Sequence, residues 1–294
     1  MLNILGHPII FSKPKRVSQS AWIEHIPFAF AIMDLHRPGI FVELGTHTGA
    51  SYCAFCQAAS ELMLPAKCHA VDTWNGDEHA GFYTDEVFEE LNAYHSANYS
   101  HFSSLLRMTF DEASAYFADS TIDLLHIDGF HSYDAVRHDF DTWLPKMSSR
   151  GVVLLHDSFE KERDFGIGLL LEELRAHYPV FEFTHEHGLA VVGVGPLLPN
   201  EPVFDLFKAD GLETVAIRML FSSLGAKISS ETALLETRTA LLETKTVLLE
   251  TKNSCETALL ETRTALAEHS ARIRALENKL EWLLKRKKRF FCGF

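Results

Sequence analysis

Short apolar runs recur through the first two thirds of the chain, and most of them stop at an ionisable residue. "IFVELG" carries Glu43 near its end, "CHAVD" ends at Asp72, "IDLLHID" at Asp128, and "GVVLLHD" at His156 and Asp157. A further run, Leu105–Thr109, leads into "FDEASAYF". Runs this short, bounded by turn residues, predict buried strands. Between them, residues 50–60, 85–97, 132–147 and 168–177 carry helical spacing. Strand and helix in alternation predict an α/β protein with a parallel, doubly wound sheet, whose ligand sites lie at the carboxyl ends of the strands. "FEFTHEHGLAVVGVG" adds two strands joined by a turn at His187–Gly188, a hairpin that closes the sheet. Trp22, His25 and Phe28 fall on a helix ahead of the first strand, where their apolar face packs on the sheet edge.

The segment Phe41–Ser51, "FVELGTHTGAS", passes from strand through Gly45 and Gly49 into a helix. Gly45 lets the chain turn sharply beside a ligand, and the amides opening the next helix face that ligand. His47 stands where the dinucleotide fingerprint needs its second glycine, which argues against a dehydrogenase. Asp72, at the tip of the second strand, is placed either to grip a ribose diol with both carboxylate oxygens or to serve as a turn aspartate that caps the next element. Asp111 either caps a helix or reaches an adenine amine.

An acidic residue before G-x-x-x-G resembles the first motif of class-I S-adenosylmethionine-dependent methyltransferases. With "VDTWNGDEHAGFY", "LLHIDGFHSYDAVRHDFDTWLPKM" and "GVVLLHDS", the chain from about Trp22 to Gly195 resembles the members of that family found with glycosyltransferases in bacterial polysaccharide biosynthesis. The resemblance implies a Rossmann-like sheet and S-adenosyl-L-methionine held by Glu43, Gly45, Thr46, His47, Gly49, Asp72, Thr73, Asp111 and Asp128. It also implies methyl transfer to an oxygen of a sugar or related glycan acceptor. The aromatic-polar tetrapeptide of amide N-methyltransferases is not found after the fourth strand.

Methyl transfer from a sulfonium is an in-line displacement, so the protein aligns two reactants and disposes of one proton. A sugar hydroxyl needs a general base, a divalent cation, or both. Asp128 and Asp157 end adjacent strands and suit a hard cation such as Mg²⁺. His156, beside Asp157, makes Mn²⁺ an alternative, so Asp128, His156 and Asp157 form the expected metal set. The base is His131 or His156, acting with Asp128. His79, in the loop after Asp72, is a candidate for acceptor binding.

Composition narrows the range. A formal charge of −13 argues against broad nucleic-acid binding, which needs basic surface to displace counterions. The N-terminus lacks a secretory pattern and no apolar run spans a bilayer, so a cytoplasmic protein is expected, free or peripheral at the inner membrane face. Cys53 and Cys56 lie within a predicted helix and read as packing residues, as does Cys68 in its strand.

Beyond Gly195 the pattern changes. Residues 1–196 form the expected methyltransferase domain, and 197–230 a connector with a short helix at 212–224 and a hinge at Gly225. From 231 to 284 near-copies of "TALLETR" repeat every seven residues, with Leu234, Leu241, Leu248 and Cys255 in step. After a four-residue stutter come Leu259, Leu266, Ile273 and Leu280. A seven-residue apolar repeat predicts a coiled coil and with it a homo-oligomer, the alternative being a helix folded back on the catalytic domain. Residues 285–294, "KRKKRFFCGF", interleave cations and aromatics in a tail suited to an anionic membrane surface or a glycosyltransferase. The leading expectation is an oligomeric O-methyltransferase. The alternative is a non-catalytic coiled-coil scaffold that keeps a donor-binding fold.

Overall fold

The computed structural model describes residues 6–18, 20–77, 81–160 and 165–291. The chain divides into two compact units, Met1–Thr232 and Ala233–Phe294. In chain order, the first unit contains α1 (Ile26–His36), β1 (Ile40–Leu44), α2 (Ala50–Glu61) and β2 (Lys67–Asp72). A small hairpin follows, β3 (Gly76–Asp77) and β4 (Gly81–Phe82), then α3 (Asp85–Asn98), β5 (Ser103–Arg107) and α4 (Phe110–Ser114). Then come β6 (Ile122–Ile127), α5 (Tyr133–Trp143), β7 (Met147–His156), α6 (Ile167–Leu174), β8 (Val180–Phe183) and β9 (Leu189–Gly193). The last helix, α7 (Gly211–Phe291), begins in the first unit and makes up the second.

The main sheet has seven strands in the order β5-β2-β1-β6-β7-β9-β8. The first five are parallel, while β9 runs antiparallel to β7 and pairs antiparallel with β8. The chain reverses direction of travel across the sheet after β5, so the crevice outside β1 and β6 is the topological switch point where such sheets take ligands. The mostly parallel sheet expected from the sequence, with its closing hairpin and a long C-terminal helix, is what the chain adopts.

Strand alternation divides the core in two. Phe41, Leu124, Val152 and Leu154 face one layer, with α1, α2 and the start of α7. Val42, Leu44, Leu125, Val153 and Leu155 face the other, with α5 and α6. Trp22, His25 and Phe28 are all buried, but Trp22 and His25 sit in and before a single 3₁₀ turn, and only Phe28 lies on α1. Helix α5 ends at Trp143, short of the expected Met147, because Pro145 cannot donate a helical hydrogen bond. Met147 already belongs to β7.

The expected hinge at Gly225 is a correction. Helix α7 runs through it without a break, so the short helix at 212–224 is only its first turns. Ile217 and Phe221 bury themselves on the domain, and an added Cβ at Gly225 would lie 2.2 Å from the Glu24 carbonyl oxygen. Gly225 therefore serves close approach of the helix to Glu24, not flexibility. In an exposed helix Gly→Ala stabilises by about 1 kcal/mol. At Gly225 the sign is expected to reverse, with Gly225→Ala costing about 1–3 kcal/mol through overpacking, read as a lower Tm for the full chain.

Candidate active site

A cleft of about 360 Å³ opens at the carboxyl edge of the sheet, at the switch point. Its lining includes Gly45, Thr46 and His47 after β1, Asp72 and Thr73 after β2, and Asp128 through His131 after β6. The size is that of a small-molecule site.

The turn after β1 explains its residues. Gly45 has φ +85°, and a Cβ there would lie 2.0 Å from the Asp128 carbonyl oxygen, so only glycine fits between β1 and β6. Gly49, at φ +79°, opens α2 beneath Leu91 and lies outside the cleft lining. His47 also holds a left-handed backbone, φ 48°, in the place where the dinucleotide motif has glycine. That conformation is held from three sides. The His47 amide donates to Asp72 Oδ2 at 2.8 Å, Trp74 Nε1 donates to the His47 carbonyl at 2.8 Å, and the His47 ring stacks on Tyr83 at 4.3 Å.

Asp72 is more occupied than the sequence implies. Its Oδ2 accepts from the amides of Thr46 (2.9 Å) and His47, and its Oδ1 from the amide of Trp74 (2.7 Å). A carboxylate offers about four lone-pair sites, so roughly one remains, on Oδ1. Asp72 thus builds the loop, as the turn-aspartate reading expects, and keeps an acceptor site on Oδ1 that faces the cleft residues. Thr46 supplies a second feature: its hydroxyl is buried at the cleft wall and has no hydrogen-bond partner among the described residues.

Glu43 lies elsewhere. It faces the core from β1, fully buried, beside His126 on β6, its register partner. Trp22 Nε1, which can only donate, bonds His126 Nε2 at 3.1 Å, so His126 Nδ1 carries the proton and donates to Glu43 Oε2 at 2.9 Å. Burial raises the Glu43 carboxyl above its ordinary value, against the opposing bond from His126. Glu43 is thus a buried anchor beneath the loop and lines no part of the cleft. Asp111 is exposed on α4, where it pairs with His138 at 2.8 Å. Thr109 and Glu112 close a capping box that starts α4 there, and Thr109 and Phe110 take the cleft position expected for Asp111.

Beyond the loop stands an ionic cluster. Asp128 follows β6, and Asp157 follows β7 with a left-handed φ of 57°. His131 Nε2 lies 2.8 Å from Asp157 Oδ2 and 3.6 Å from Asp128 Oδ1. His156 Nδ1 lies 3.2 Å from Asp128 Oδ1 and 3.4 Å from Asp157 Oδ2. Two carboxylates thus face two imidazoles, with Asp128 and His131 at the cleft wall and His156 deepest. Burial alone would lower both histidines, but their contacts with the two aspartates lift His131 to about 9 and His156 to about 10. Burial would raise the carboxyls, yet the same contacts hold Asp157 at about 2 and Asp128 well below the carboxylate range. Among the described residues, Asp128, His131 and Asp157 each bring a donor atom within 4.8 Å of the others. His131 therefore stands where the sequence placed His156. The His156 ring is deeper, its edge against buried His25 at 5.6 Å, while His131 lines the cleft and stacks on Phe165 at 4.4 Å. His79 lies outside the described residues.

Comparison with known proteins bears on this geometry. Residues 42–158 match a family described as a methyltransferase domain. That span runs from β1 through the end of β7 and contains the loop, Asp72 and the ionic cluster. A Sinorhizobium fredii protein, "Uncharacterized protein y4gI", is 48% identical over 193 residues, which is 65% of this chain. The chain spans about a fifth of that relative's length (21%). Among solved structures, the SAH-bound methyltransferase of Podospora anserina is 13% identical, with a TM-score of 0.44 over 57% of this chain and 77% of that one. A methyltransferase from Geobacter sulfurreducens is 12% identical, with a TM-score of 0.45 over 60% of this chain and 79% of that one.

Burial of the two cysteines in α2 pushes their thiols up, in keeping with packing. Sequence reasoning missed Tyr83 and Phe110 in the cleft wall. The capping box that places Phe110 was legible as "TFDE"; the hairpin that presents Tyr83 was too short to read.

The raised histidines predict a pH dependence. Groups whose folded pKa lies above the unfolded value stabilise fully below about pH 6.5, and that stabilisation is lost as pH rises through the folded values. Tm is expected to fall by several degrees as pH is raised to about 10, and His131→Gln is expected to flatten the fall. A scanning calorimetry series of both proteins reads this directly.

Proposed function

We propose that the protein transfers a methyl group from S-adenosylmethionine to a hydroxyl of a sugar or glycan acceptor during surface-polysaccharide assembly. The observation that carries this reading is the adjacency of two features. The glycine turn and Asp72 frame a cleft suited to a nucleoside-bearing donor, and Asp128 and His131 on the same rim supply groups that handle a hydroxyl proton. Thr46, with its unpartnered buried hydroxyl, fits a donor hydrogen-bonded at the loop. Thr73, and the lone-pair site left on Asp72, fit one ribose hydroxyl.

In that reaction the acceptor oxygen forms a bond to the methyl carbon while the carbon–sulfur bond breaks, leaving a neutral thioether. The hydroxyl proton passes to a base of the cluster. His131 is the better placed of the two candidate histidines, since it lines the cleft whereas His156 lies behind Asp128. The donor set of Asp128, His131 and Asp157 also fits a divalent cation, hard through its carboxylates and tolerant of imidazole as Mn²⁺ is. Such a cation would lower the pKa of a bound hydroxyl. Held as an ion pair with both carboxylates, His131 must give up its proton before it can serve as ligand or base, which favours activity at mildly alkaline pH.

Isothermal titration of the full chain with S-adenosylmethionine, with and without Mg²⁺ or Mn²⁺, tests the donor site. Micromolar binding is expected, weakened about 10- to 100-fold in Asp72→Asn through loss of charge-assisted bonds that shape the loop. His131→Gln is expected to keep donor binding and to lose about 100-fold or more of methyl transfer to nucleotide sugars or glycan acceptors. No donor binding under any of these conditions would overturn the enzyme reading and leave the scaffold alternative. Among the described residues no helix is long and apolar enough to cross a membrane.

A further inference from the structure

The second unit is a single helix that carries a dense set of exposed leucines. Leu234, Leu241, Leu248 and Leu266 are 70%, 67%, 67% and 66% exposed. Such density of exposed leucine marks an interaction surface. The surface has a definite shape. With about 100° of turn per residue, Ala233, Leu234 and Thr237 share an arc of roughly 100°. The arc repeats each heptad, steps once by four residues after Cys255, and resumes with Ala258, Leu259 and Thr262. It continues through Ile273, Leu276, Leu280 and Leu283. The threonines do not break it. The hydroxyls of Thr237, Thr244, Thr251 and Thr262 bond the carbonyl four residues earlier at 2.8–2.9 Å, so their polar groups are satisfied within the helix and their methyls are free for packing.

Charge borders the arc on both sides, with opposite sign. Glu236, Glu243, Glu250 and Glu261 flank one edge, and Arg238, Lys245, Lys252 and Arg263 the other. Each acid precedes its base by two residues, a spacing at which side chains of one helix do not meet. The ion pairs of this helix among the described residues are Lys227–Glu231, Lys252–Glu256 and Lys285–Glu281. Glu236, Arg238, Glu243, Lys245, Glu261 and Arg263 therefore have no ionic partner among the described residues. Side by side in parallel, two such helices set the acidic edge of each against the basic edge of the other, along both borders of the seam. Antiparallel packing sets acid against acid and base against base.

We propose that residues 233–283 pair in parallel and in register with the same segment of identical chains, forming a coiled-coil homo-oligomer. A second leucine row, Leu235, Leu242, Leu249 and Leu260, lies just beyond the basic edge and widens the surface enough for more than two copies. The inference is independent of the catalytic reading, since it draws only on the second unit.

Light scattering of the full chain across micromolar concentrations is expected to give at least twice the monomer mass. The double variant Leu241→Glu/Leu266→Glu is expected to return the monomer mass while near-ultraviolet circular dichroism, which reports the aromatic core of the first unit, stays unchanged. Orientation is read with Thr244→Cys in a Cys255→Ser/Cys292→Ser background. Parallel, in-register helices bring the two introduced thiols within disulfide reach, so mild oxidation yields a covalent dimer. A monomeric wild type, or an oligomer that survives the two glutamates, would overturn the proposal. An oligomer without the Thr244→Cys cross-link would overturn the parallel arrangement.

Discussion

Negative charge collects at one edge of this sheet, and its neutralisation organises much of the first unit. Parallel strands deliver their carboxyl ends to the same side, so Asp72, Asp128 and Asp157 arrive together above a core with little water. A carboxylate left bare there costs several kcal/mol, on the order of a whole domain's margin of stability. Two different devices compensate them. Asp72 takes three backbone amides, and Asp128 and Asp157 share His131 and His156. One strand inward, Glu43 takes His126, which Trp22 orients in turn. The turns, the left-handed residues and the N-terminal segment that carries Trp22 are arranged around these pairings.

The same compensation shapes the chemistry. A cluster of two carboxylates and two imidazoles, satisfied among themselves, is stable at rest yet stands at the wall of an open cleft. A ligand or cation that enters it meets negative oxygens already gathered and an imidazole able to exchange its proton. Asp72 illustrates the trade in the opposite direction. By spending most of its lone pairs on the loop, it holds His47 in a strained conformation at the cleft mouth and leaves a single site for a ligand. Loop geometry and the shape of the cleft mouth thus depend on one side chain.

Much of the fold could be read along the chain. Runs such as "GVVLLHD" have the length and composition of buried parallel strands, and the glycines at 45 and 49 announce their turn. Gly225 misled for a reason that is physical and not statistical. A glycine within a polar stretch suggests freedom, but here the neighbouring Glu24 carbonyl, distant in sequence, fills the space a side chain would need. The same is true of Glu43, whose motif position suggested a ligand contact. Strand alternation turns it inward, and only the pairing of β1 with β6 supplies the histidine that makes its burial tolerable.

What the sequence determined by itself is what local spacing controls: the strands and helices, the glycine turn, the seven-residue seam with its charged borders, and which strand ends carry acids. Each depends on residues within a few positions of one another. Tertiary structure decided which of those acids face the cleft and which face the core. It set His131 above Asp128 and Asp157, with His156 behind them, and moved the cleft contact from Asp111 to Phe110. These choices depend on groups brought together from β1, β2, β6 and β7. Their distances and burial exist only once the sheet has closed, because a side chain's partner and its exposure to water are properties of the assembled layers and not of the segment that carries it.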